Sequence, residues 1–252
     1  MEWLGHYGHI AFNVGSRYYF VAGVAFFICY VLLRRWIKGR KIQAKFPAAS
    51  DYLREILYSS FTILIFALVP TFLVFHPWAR GYNTLYAEID EKGLLYYWGL
   101  YPILFLIHDT YFYWTHRWMH QPRVYRLFHL AHHRSTNPSP WAAYAFHPLE
   151  AIVEVGIFVV FLLFIPIHKT HLLIFFFLSI VYNVYGHLGW EIYPRGFHRT
   201  WIGRWVNTSV SHNQHHRYVL GNYGLYFLFW DLWMGTLRTD YDEAYVEATQ
   251  KG

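Results

Sequence analysis

The sequence predicts an all-α fold, an integral membrane helical bundle of about four spans with a histidine-rich helical cap on its cytoplasmic side. Hydrophobic residues make up 56% of the chain and charged residues only 14%. A soluble domain of this length would carry about a quarter charged residues. The chain also contains 17 histidines, most of them in its second half. The composition therefore indicates a membrane protein whose imidazoles are gathered in one part of the chain.

Long apolar segments give the predicted spans in order. A helix needs about 20 apolar residues to cross a hydrocarbon core about 30 Å thick. The three predicted spans and the two arms of a predicted hairpin are 18–33, 56–75, 94–107, 151–165 and 172–185. The third span continues as a helix through Asp109 to Thr115. The last two segments are each short for a full span and are separated by Pro166, so we expect a re-entrant helical hairpin.

Basic residues set the predicted orientation. Arg34, Arg35 and Lys41 belong to a basic run directly after the first span, which predicts a cytoplasmic connection. If the spans alternate, 17 of the 21 Lys and Arg residues, Lys251 among them, fall on that side with all the clustered histidines. A basic rim beside anionic lipid accounts for the pI of about 9.2 without nucleic acid as a partner. The residues left on the other side are Arg17, Arg80, Lys92 and Lys169.

Features that the chain lacks limit its organisation. Cys29 is the single cysteine, which excludes intrachain disulfides, thiolate zinc sites and iron–sulfur clusters. Any redox metal must therefore be held by nitrogen and oxygen ligands. The first residues show no basic run ahead of an apolar stretch and no small-residue cleavage site, so no removable signal peptide is expected. Because there is no internal repeat or long flexible linker, we expect one membrane domain over 1–252.

Eight histidines form three short clusters with the spacing of metal ligands. The clusters read HRWMH, HLAHH and HNQHH, and their histidines are His116, His120, His129, His132, His133, His212, His215 and His216. Residues three or four apart on a helix share a face, and imidazole binds first-row transition metals through a nitrogen lone pair. On a helix of about 100° per residue, Asp109 lies on the same face as the first cluster. We therefore expect Asp109 to hold a ligand imidazole in place without binding the metal itself.

The isolated histidines lead to different expectations. His187 follows the hairpin where it returns to the cluster side, and its position alone leaves open whether it is a ligand. His108 and His147, by position alone, are expected to be hydrogen-bonded core or helix-capping residues. His168 and His171 flank the outer turn of the hairpin, and we expect them to be solvated.

The clusters and their flanking residues resemble those of the fatty acid hydroxylase and sterol desaturase superfamily of membrane di-iron oxygenases. The matching segments are HRWMH, HLAHH with STNPSPWAAYAFHPLE, YGHLGWEIYP and HNQHHRYVLGNYGLYFLFWDLWMGT, and together they cover a catalytic region over 94–236. The AFHP and NYG…WD…GT features are most similar to the branch of sterol C5-desaturases. The resemblance implies that the eight clustered histidines bind two metals at the cytoplasmic membrane face. It also implies that His147 and His187 are ligands, because they correspond to the family's intervening histidines.

The resemblance further implies an O2-dependent oxidoreductase with two Fe ions that hydroxylates or desaturates an unactivated C–H position of a membrane lipid, fatty acyl chain, sterol or isoprenoid. Zn could replace Fe in purified protein, because imidazole does not discriminate strongly between them. The sequence has no iron–sulfur cysteine set, dinucleotide fingerprint or fused cytochrome motif. Electrons are therefore expected from a separate reductase, ferredoxin or cytochrome b5. The expected location is the bacterial inner membrane or the endoplasmic reticulum.

Two other classes of protein stay open from the residues alone. A histidine-rich metal transporter needs polar groups along a path through the bilayer, whereas the predicted spans hold few besides Asp109, Glu154 and Asn183. A haem electron-transfer protein uses one histidine pair per haem, and two HxxHH clusters supply too many adjacent imidazoles for that.

In the oxygenase interpretation, a lipid reaches the metals between apolar helices. The expected wall of this path is formed by Tyr111, Trp114, Val153 and Tyr182. The acids available to support the ligands are Asp109, Glu150 and Glu191.

Overall fold

The computed structural model describes residues 2–250, which are mostly helical. The α-helices are α1 (Gly5–Phe26), α2 (Ala49–Phe75), α3 (Leu94–Met119), α4 (Pro122–Phe128), α5 (Leu130–His133), α6 (Pro148–Phe164), α7 (Lys169–Gly186), α8 (Ser209–Tyr218), α9 (Phe229–Trp233) and α10 (Tyr241–Gln250). Strands β1 (Leu85–Tyr86) and β2 (Ile167–His168) form one parallel pair. Met1, Lys251 and Gly252, which fall within the predicted domain, lie outside the described residues.

The predicted all-α membrane fold is confirmed, with differences in the spans. Among the described residues, three helical segments are long and apolar enough to cross a membrane: Gly5–Leu32, Ala49–Phe75 and Lys169–Gly186. The first starts 13 residues earlier than predicted. A helix satisfies its own backbone hydrogen bonds, so polar side chains such as Asn13 and Arg17 need not end it in an apolar environment. The predicted third span forms as helix α3 but is not among these three segments.

Five long helices run between the two ends of the molecule and close into a ring. Helix α1 packs on α2 and α7, α2 packs on α6, and α3 packs on both α6 and α7. The β1–β2 pair lies at one end, hereafter the strand end, where it joins the α2–α3 connection to the turn between α6 and α7. The opposite end, hereafter the histidine end, holds the C-terminal ends of α1, α3 and α7 together with the shorter helices α4, α5 and α8.

The connection between α1 and α2 ties the histidine end together. The Arg40 guanidinium donates to the carbonyl of Tyr193 at 2.8 Å, and Lys41 forms an isolated antiparallel bridge with Trp190. The Gln43 amide donates to the Asn213 side chain at 2.9 Å, next to the third histidine cluster. The basic connection therefore packs over the segments that follow α7, in addition to its predicted role in setting the orientation of the bundle in the membrane.

The expectation that His168 and His171 are solvated is wrong. Both are buried, with exposed fractions of 3% and 0%. His171 Nε2 lies 2.7 Å from the Tyr97 carbonyl oxygen, and its Nδ1 accepts the backbone N–H of His168 at 3.2 Å. A hairpin turn needs partners for its free backbone groups, and these imidazoles provide them.

We predict that His171→Phe destabilises the protein by about 1–3 kcal/mol, because the Tyr97 carbonyl and the His168 N–H lose their partner. Thermal unfolding in detergent measures the effect. The matched control is His9→Phe, because His9 is exposed near the same end of the bundle. Equal stability of the two variants would show that His171 only fills space. The metal content of both should equal that of the wild type.

Candidate metal centre

The first group of histidines joins residues in or next to four helices. His116 lies in the last turn of α3 and His120 directly follows it, His129 lies between α4 and α5, His133 ends α5, and His215 lies in α8. One ring nitrogen from each of these five lies within 4.8 Å of the others. His116 Nε2 and His129 Nε2 are 2.9 Å apart. Two nitrogens bound to one ion at about 2.0–2.1 Å would be separated by a similar distance.

The second group contains four histidines, and all four are buried. They are His132, His187, His212 and His216, and one ring nitrogen from each lies within 4.8 Å of the others. His187 Nε2 is 3.0 Å from His212 Nε2 and 3.1 Å from His216 Nε2. His187 therefore lies inside this group; its position in the sequence alone left open whether it is a ligand.

The two groups are direct neighbours. The rings of His133 and His216, one from each group, stack with centroids 4.9 Å apart. The ring centroids of His129 and His132, again one from each group, are 5.2 Å apart. Two ions held by these groups would thus lie side by side in one buried cluster of imidazoles.

Backbone carbonyls fix the direction of four of these rings. Nδ1 of His116, His187, His215 and His216 lies 2.7–3.0 Å from the carbonyl oxygens of Tyr223, Asn183, Gly221 and Ser135 respectively. A carbonyl only accepts, so Nδ1 carries the proton and Nε2 keeps its lone pair. The same arrangement orients metal-binding histidines in known metal sites.

A carboxylate holds a fifth ring. His129 Nδ1 is 2.6 Å from Glu150 Oε1, and both side chains are almost completely buried. Glu150 lies in the first turn of α6, just after Pro148. A carboxylate that accepts from a ligand imidazole raises its basicity and fixes its tautomer. Glu150 is thus the one of the three available acids that contacts a clustered histidine directly in the described structure.

Several other ring nitrogens of the two groups have no hydrogen-bond partner in the described structure and have lone pairs that could bind a cation. Both nitrogens of His120 and His133 are buried without a hydrogen-bond partner among the described residues, as is Nε2 of His215. Burial, reinforced by the neighbouring imidazoles, lowers the pKa of His129, His133 and His216 well below the ordinary value. These imidazoles are therefore neutral at pH 7, which is the form that binds a transition metal.

An apolar cavity of about 490 Å³ lies inside the helix ring and ends beside the histidines. Phe112 and Phe146 line its inner end. The Phe112 ring packs 4.9 Å from that of His116, and the Phe146 ring packs 5.1 Å from that of His132. One aromatic side chain of the cavity therefore contacts each histidine group.

The expected wall of the lipid path is not the wall of this cavity, whose lining includes none of the four expected residues. The Tyr111 hydroxyl donates to the Val153 carbonyl at 2.6 Å and so joins α3 to α6. The Tyr182 hydroxyl donates to the Asn207 carbonyl at 2.6 Å. Trp114 is 44% exposed. Apolar periodicity shows that a helix has a buried face, but does not show which neighbour that face meets.

A family model described as fatty acid hydroxylase matches residues 101–236, more than half of the chain. The chain belongs to the fatty acid hydroxylase family. Similar proteins include Delta(7)-sterol 5(6)-desaturases of Gibberella zeae, 35% identical over 75% of this chain and 57% of the relative, and of Leptosphaeria maculans, 32% identical over 74% and 49%. The family and the sterol C5-desaturase branch predicted from the clusters are thus confirmed. The chain spans about half the length of the curated relatives it matches. No solved structure matches it.

All ten predicted ligands lie in the matched region, and nine of them belong to the two histidine groups. The tenth, His147, is in neither group. It caps α6, and its Nδ1 accepts the backbone N–H of Leu149 at 3.3 Å. His108 is buried, with Nδ1 2.9 Å from the Tyr226 hydroxyl, as expected for a hydrogen-bonded core histidine.

The contacts of Asp109 differ from the expected ones. Its Oδ1 accepts the backbone N–H groups of Leu225, Tyr226 and Phe227 at 3.2, 2.6 and 3.2 Å, and no contact with an imidazole is seen in the described structure. These residues follow Tyr223, whose carbonyl orients His116. Asp109 therefore influences His116 only through the loop at 223–227, because its buried carboxylate accepts hydrogen bonds from the backbone of that loop.

Asp231 is a further positioning residue, and the sequence reasoning missed it. Its carboxylate accepts the backbone N–H groups of Tyr223 at 2.9 Å and Gly224 at 2.8 Å. Within the same turn, Gly221 has φ 81°, and a Cβ there would lie 2.7 Å from the Thr236 carbonyl oxygen. The turn thus presents the carbonyls of Gly221 and Tyr223 to two histidines. The sequence signal for this turn and for Asp231 was the pair of motifs NYG at 222–224 and WD at 230–231, both part of the family resemblance.

We predict that Glu150→Gln lowers metal affinity by about 10–100-fold, because the amide is a weaker acceptor for His129 Nδ1–H. Competition with a chelator, followed by metal analysis, measures the affinity. The matched control is Glu154→Gln, one turn further along α6, which should keep wild-type affinity. If both variants bound metal like the wild type, the Glu150–His129 contact would have no role in the site.

Proposed function

We propose that this chain is an O2-dependent di-iron oxidoreductase that hydroxylates or desaturates an unactivated C–H position of a membrane lipid. The observation that carries the proposal is the pair of adjacent, buried, all-imidazole groups at the inner end of an apolar cavity. Membership of the fatty acid hydroxylase family and the sterol desaturase names of its relatives support it. A metal transporter would need metal-binding groups along its path. The cavity is instead lined at one end by the cations Arg17 and Lys169, which would repel a metal ion, and beside the histidines by Phe112 and Phe146.

The proposed ligands are the nine histidines of the two groups. The first ion would be held by the group of five and the second by the group of four. We leave His147 out of the ligand set because it caps α6. When bound, two irons supply the O2-activating redox chemistry that no amino-acid side chain can provide. Zn remains a substitute in purified protein, because the donors are all imidazoles.

The residues of the chain would perform the remaining tasks. The cavity would hold the apolar part of the lipid away from water, with the carbon to be oxidised beside Phe112 and Phe146. Glu150 and the carbonyls of Tyr223 and Asn183 would keep the imidazoles in the ligand tautomer. Electrons would come from a separate reductase, ferredoxin or cytochrome b5, since the chain has one cysteine.

The proposed location of the histidine end is the cytoplasmic face of the membrane, in the endoplasmic reticulum or the bacterial inner membrane. The connection that carries Arg34, Arg35 and Arg40 lies at this end, and Arg40 contacts the segment after α7 directly. Connections rich in Lys and Arg stay on the cytoplasmic side during insertion. A soluble electron donor would then reach the histidine end without crossing the bilayer.

We predict about two metal equivalents per chain, since five and four imidazoles exceed what one ion accepts. His132→Ala leaves three imidazoles in the second group, so this variant should retain about one equivalent, whereas His215→Ala leaves four in the first group and should lower its occupancy by less. Elemental analysis of purified protein measures this, with His9→Ala as the control. One equivalent or fewer in the wild-type protein, with activity intact, would contradict a two-metal centre.

We predict that cells producing the chain contain a lipid with either one added oxygen or one added double bond. The comparison uses lipid extracts, analysed by mass spectrometry, from cells producing the wild type, His212→Ala or His9→Ala. His212→Ala should abolish the product because the second group loses a ligand, whereas His9→Ala should retain it. The mass difference separates hydroxylation from desaturation. A product that persists in the His212 variant would rule out the proposed chemistry.

A further inference from the structure

Arg17 occupies an unusual place in the bundle. It lies near the middle of the apolar helical segment Gly5–Leu32 and is the only Asp, Glu, Lys or Arg residue in it. A charged side chain at membrane depth is costly, and such residues usually serve a binding or transport function. Arg17 is also one of the few basic residues that the orientation rule leaves on the side opposite the histidine end.

Arg17 has no acidic partner among the described residues. Its guanidinium makes one long hydrogen bond, 3.4 Å to the Leu173 carbonyl on α7, and no carboxylate lies within ion-pair distance of it. Lys169, one turn before Leu173, likewise has no ion pair in the described part of the chain. Two cations of neighbouring helices, Arg17 half-buried and Lys169 exposed, thus have no balancing anion among the described side chains.

Both cations line the same cavity. Arg17 and Lys169 stand toward its strand end. Among the side chains that the structure describes, the only acid in its lining is Glu154, one turn from Glu150 and therefore toward the histidine end. One end of the cavity is consequently positive and the other end leads to the proposed metals. A cavity with this polarity favours a ligand with a negative group at one end.

One face of α7 connects the two ends of the cavity. The lining residues Lys169, Leu172, Leu173, Phe176, Ile180 and Asn183 follow helical spacing. With a rise of about 1.5 Å per residue, Leu173 and Asn183 are about 15 Å apart along the helix. The Asn183 carbonyl accepts from His187 Nδ1 at 2.8 Å, so this face ends at the second histidine group. One bilayer leaflet, about half of a 30 Å hydrocarbon core, is spanned by a single acyl chain of similar length.

We propose that Arg17 and Lys169 bind the anionic head group, a carboxylate or a phosphate, of the lipid whose apolar body fills this cavity. The proposal rests on the proposed function, because it names the substrate class of the same site. It also fixes the direction of the lipid. The head group lies near α1 and the start of α7, and the carbon beside the histidines is about 15 Å from it. Oxidation then occurs far from the head group.

An anionic group fits better than a neutral hydroxyl. A hydroxyl can accept a hydrogen bond from the guanidinium, but it leaves the positive charge uncompensated in an apolar cavity. A carboxylate or phosphate compensates the charge and forms shorter, stronger hydrogen bonds with Arg. The long contact between Arg17 and the Leu173 carbonyl leaves the other guanidinium N–H groups available for such a ligand.

Binding to the purified metal-loaded protein in detergent tests the proposal without turnover. The probes are radiolabelled palmitate, lysophosphatidic acid, hexadecanol and cholesterol. The variants are Arg17→Gln, Lys169→Gln and Arg17→Lys. The control is Arg80→Gln, because Arg80 is an exposed cation near the same end and does not line the cavity. Metal content and thermal unfolding are measured for each variant.

We expect Arg17→Gln and Lys169→Gln to weaken binding of palmitate, lysophosphatidic acid or both by on the order of tenfold, since each loses a charge-assisted hydrogen bond. Hexadecanol binding should change by less than about twofold, Arg17→Lys should restore part of the affinity, and Arg80→Gln should match the wild type. The preferred anion identifies the head group. Tighter binding of cholesterol or hexadecanol than of either anion, or equal anion affinity in wild type and Arg17→Gln, would overturn the proposal. Metal content below two equivalents would instead contradict the di-iron centre.

Discussion

The structure depends on nine imidazoles that are held together at one end of a membrane bundle. Several of their nitrogens are buried without a hydrogen-bond partner among the described residues. Each unpaired polar atom in the interior costs about 1–3 kcal/mol, and protonating these crowded rings would add charge repulsion. A bound cation would remove both penalties at once. In our proposal, metal binding and the ordering of the histidine end are therefore coupled, as they are in other metal sites built from buried ligands.

The rest of the histidine end serves to orient these rings. His116 and His216 depend on carbonyls from distant parts of the chain, at Tyr223 and Ser135. The Tyr223 turn depends on two buried carboxylates. Asp231 accepts the N–H groups of Tyr223 and Gly224, and Asp109 accepts those of the following three residues, 225–227. The ring direction of a single ligand is thus set by several long-range hydrogen bonds. Such outer partners commonly tune a metal site as strongly as they stabilise the fold.

The sequence could predict the membrane fold, the family and the close grouping of the clustered histidines, because cluster spacing and apolar length are local properties. It could not predict contacts made between segments far apart. Asp109 was placed on the correct helix face, but its donors lie more than a hundred positions later. His168 and His171 looked solvated because they flank a turn, yet that turn is covered by α3. The tyrosines and tryptophan expected to line the lipid path have suitable chemistry, but the packing of the helix ring decides which face meets the cavity.

The basic residues illustrate how a local rule can point to a site through its exceptions. The orientation rule assigns most Lys and Arg residues to one side and leaves only Arg17, Arg80, Lys92 and Lys169 on the other. Two of these four line the cavity that leads to the histidines. Residues that only orient a bundle need contact nothing but lipid head groups and water. Arg17 instead lines the cavity inside the helix ring, where it is half-buried and has no acidic partner among the described residues. In our proposal, the same charge that is an exception to the orientation rule selects the lipid and determines which of its carbons reaches the metals.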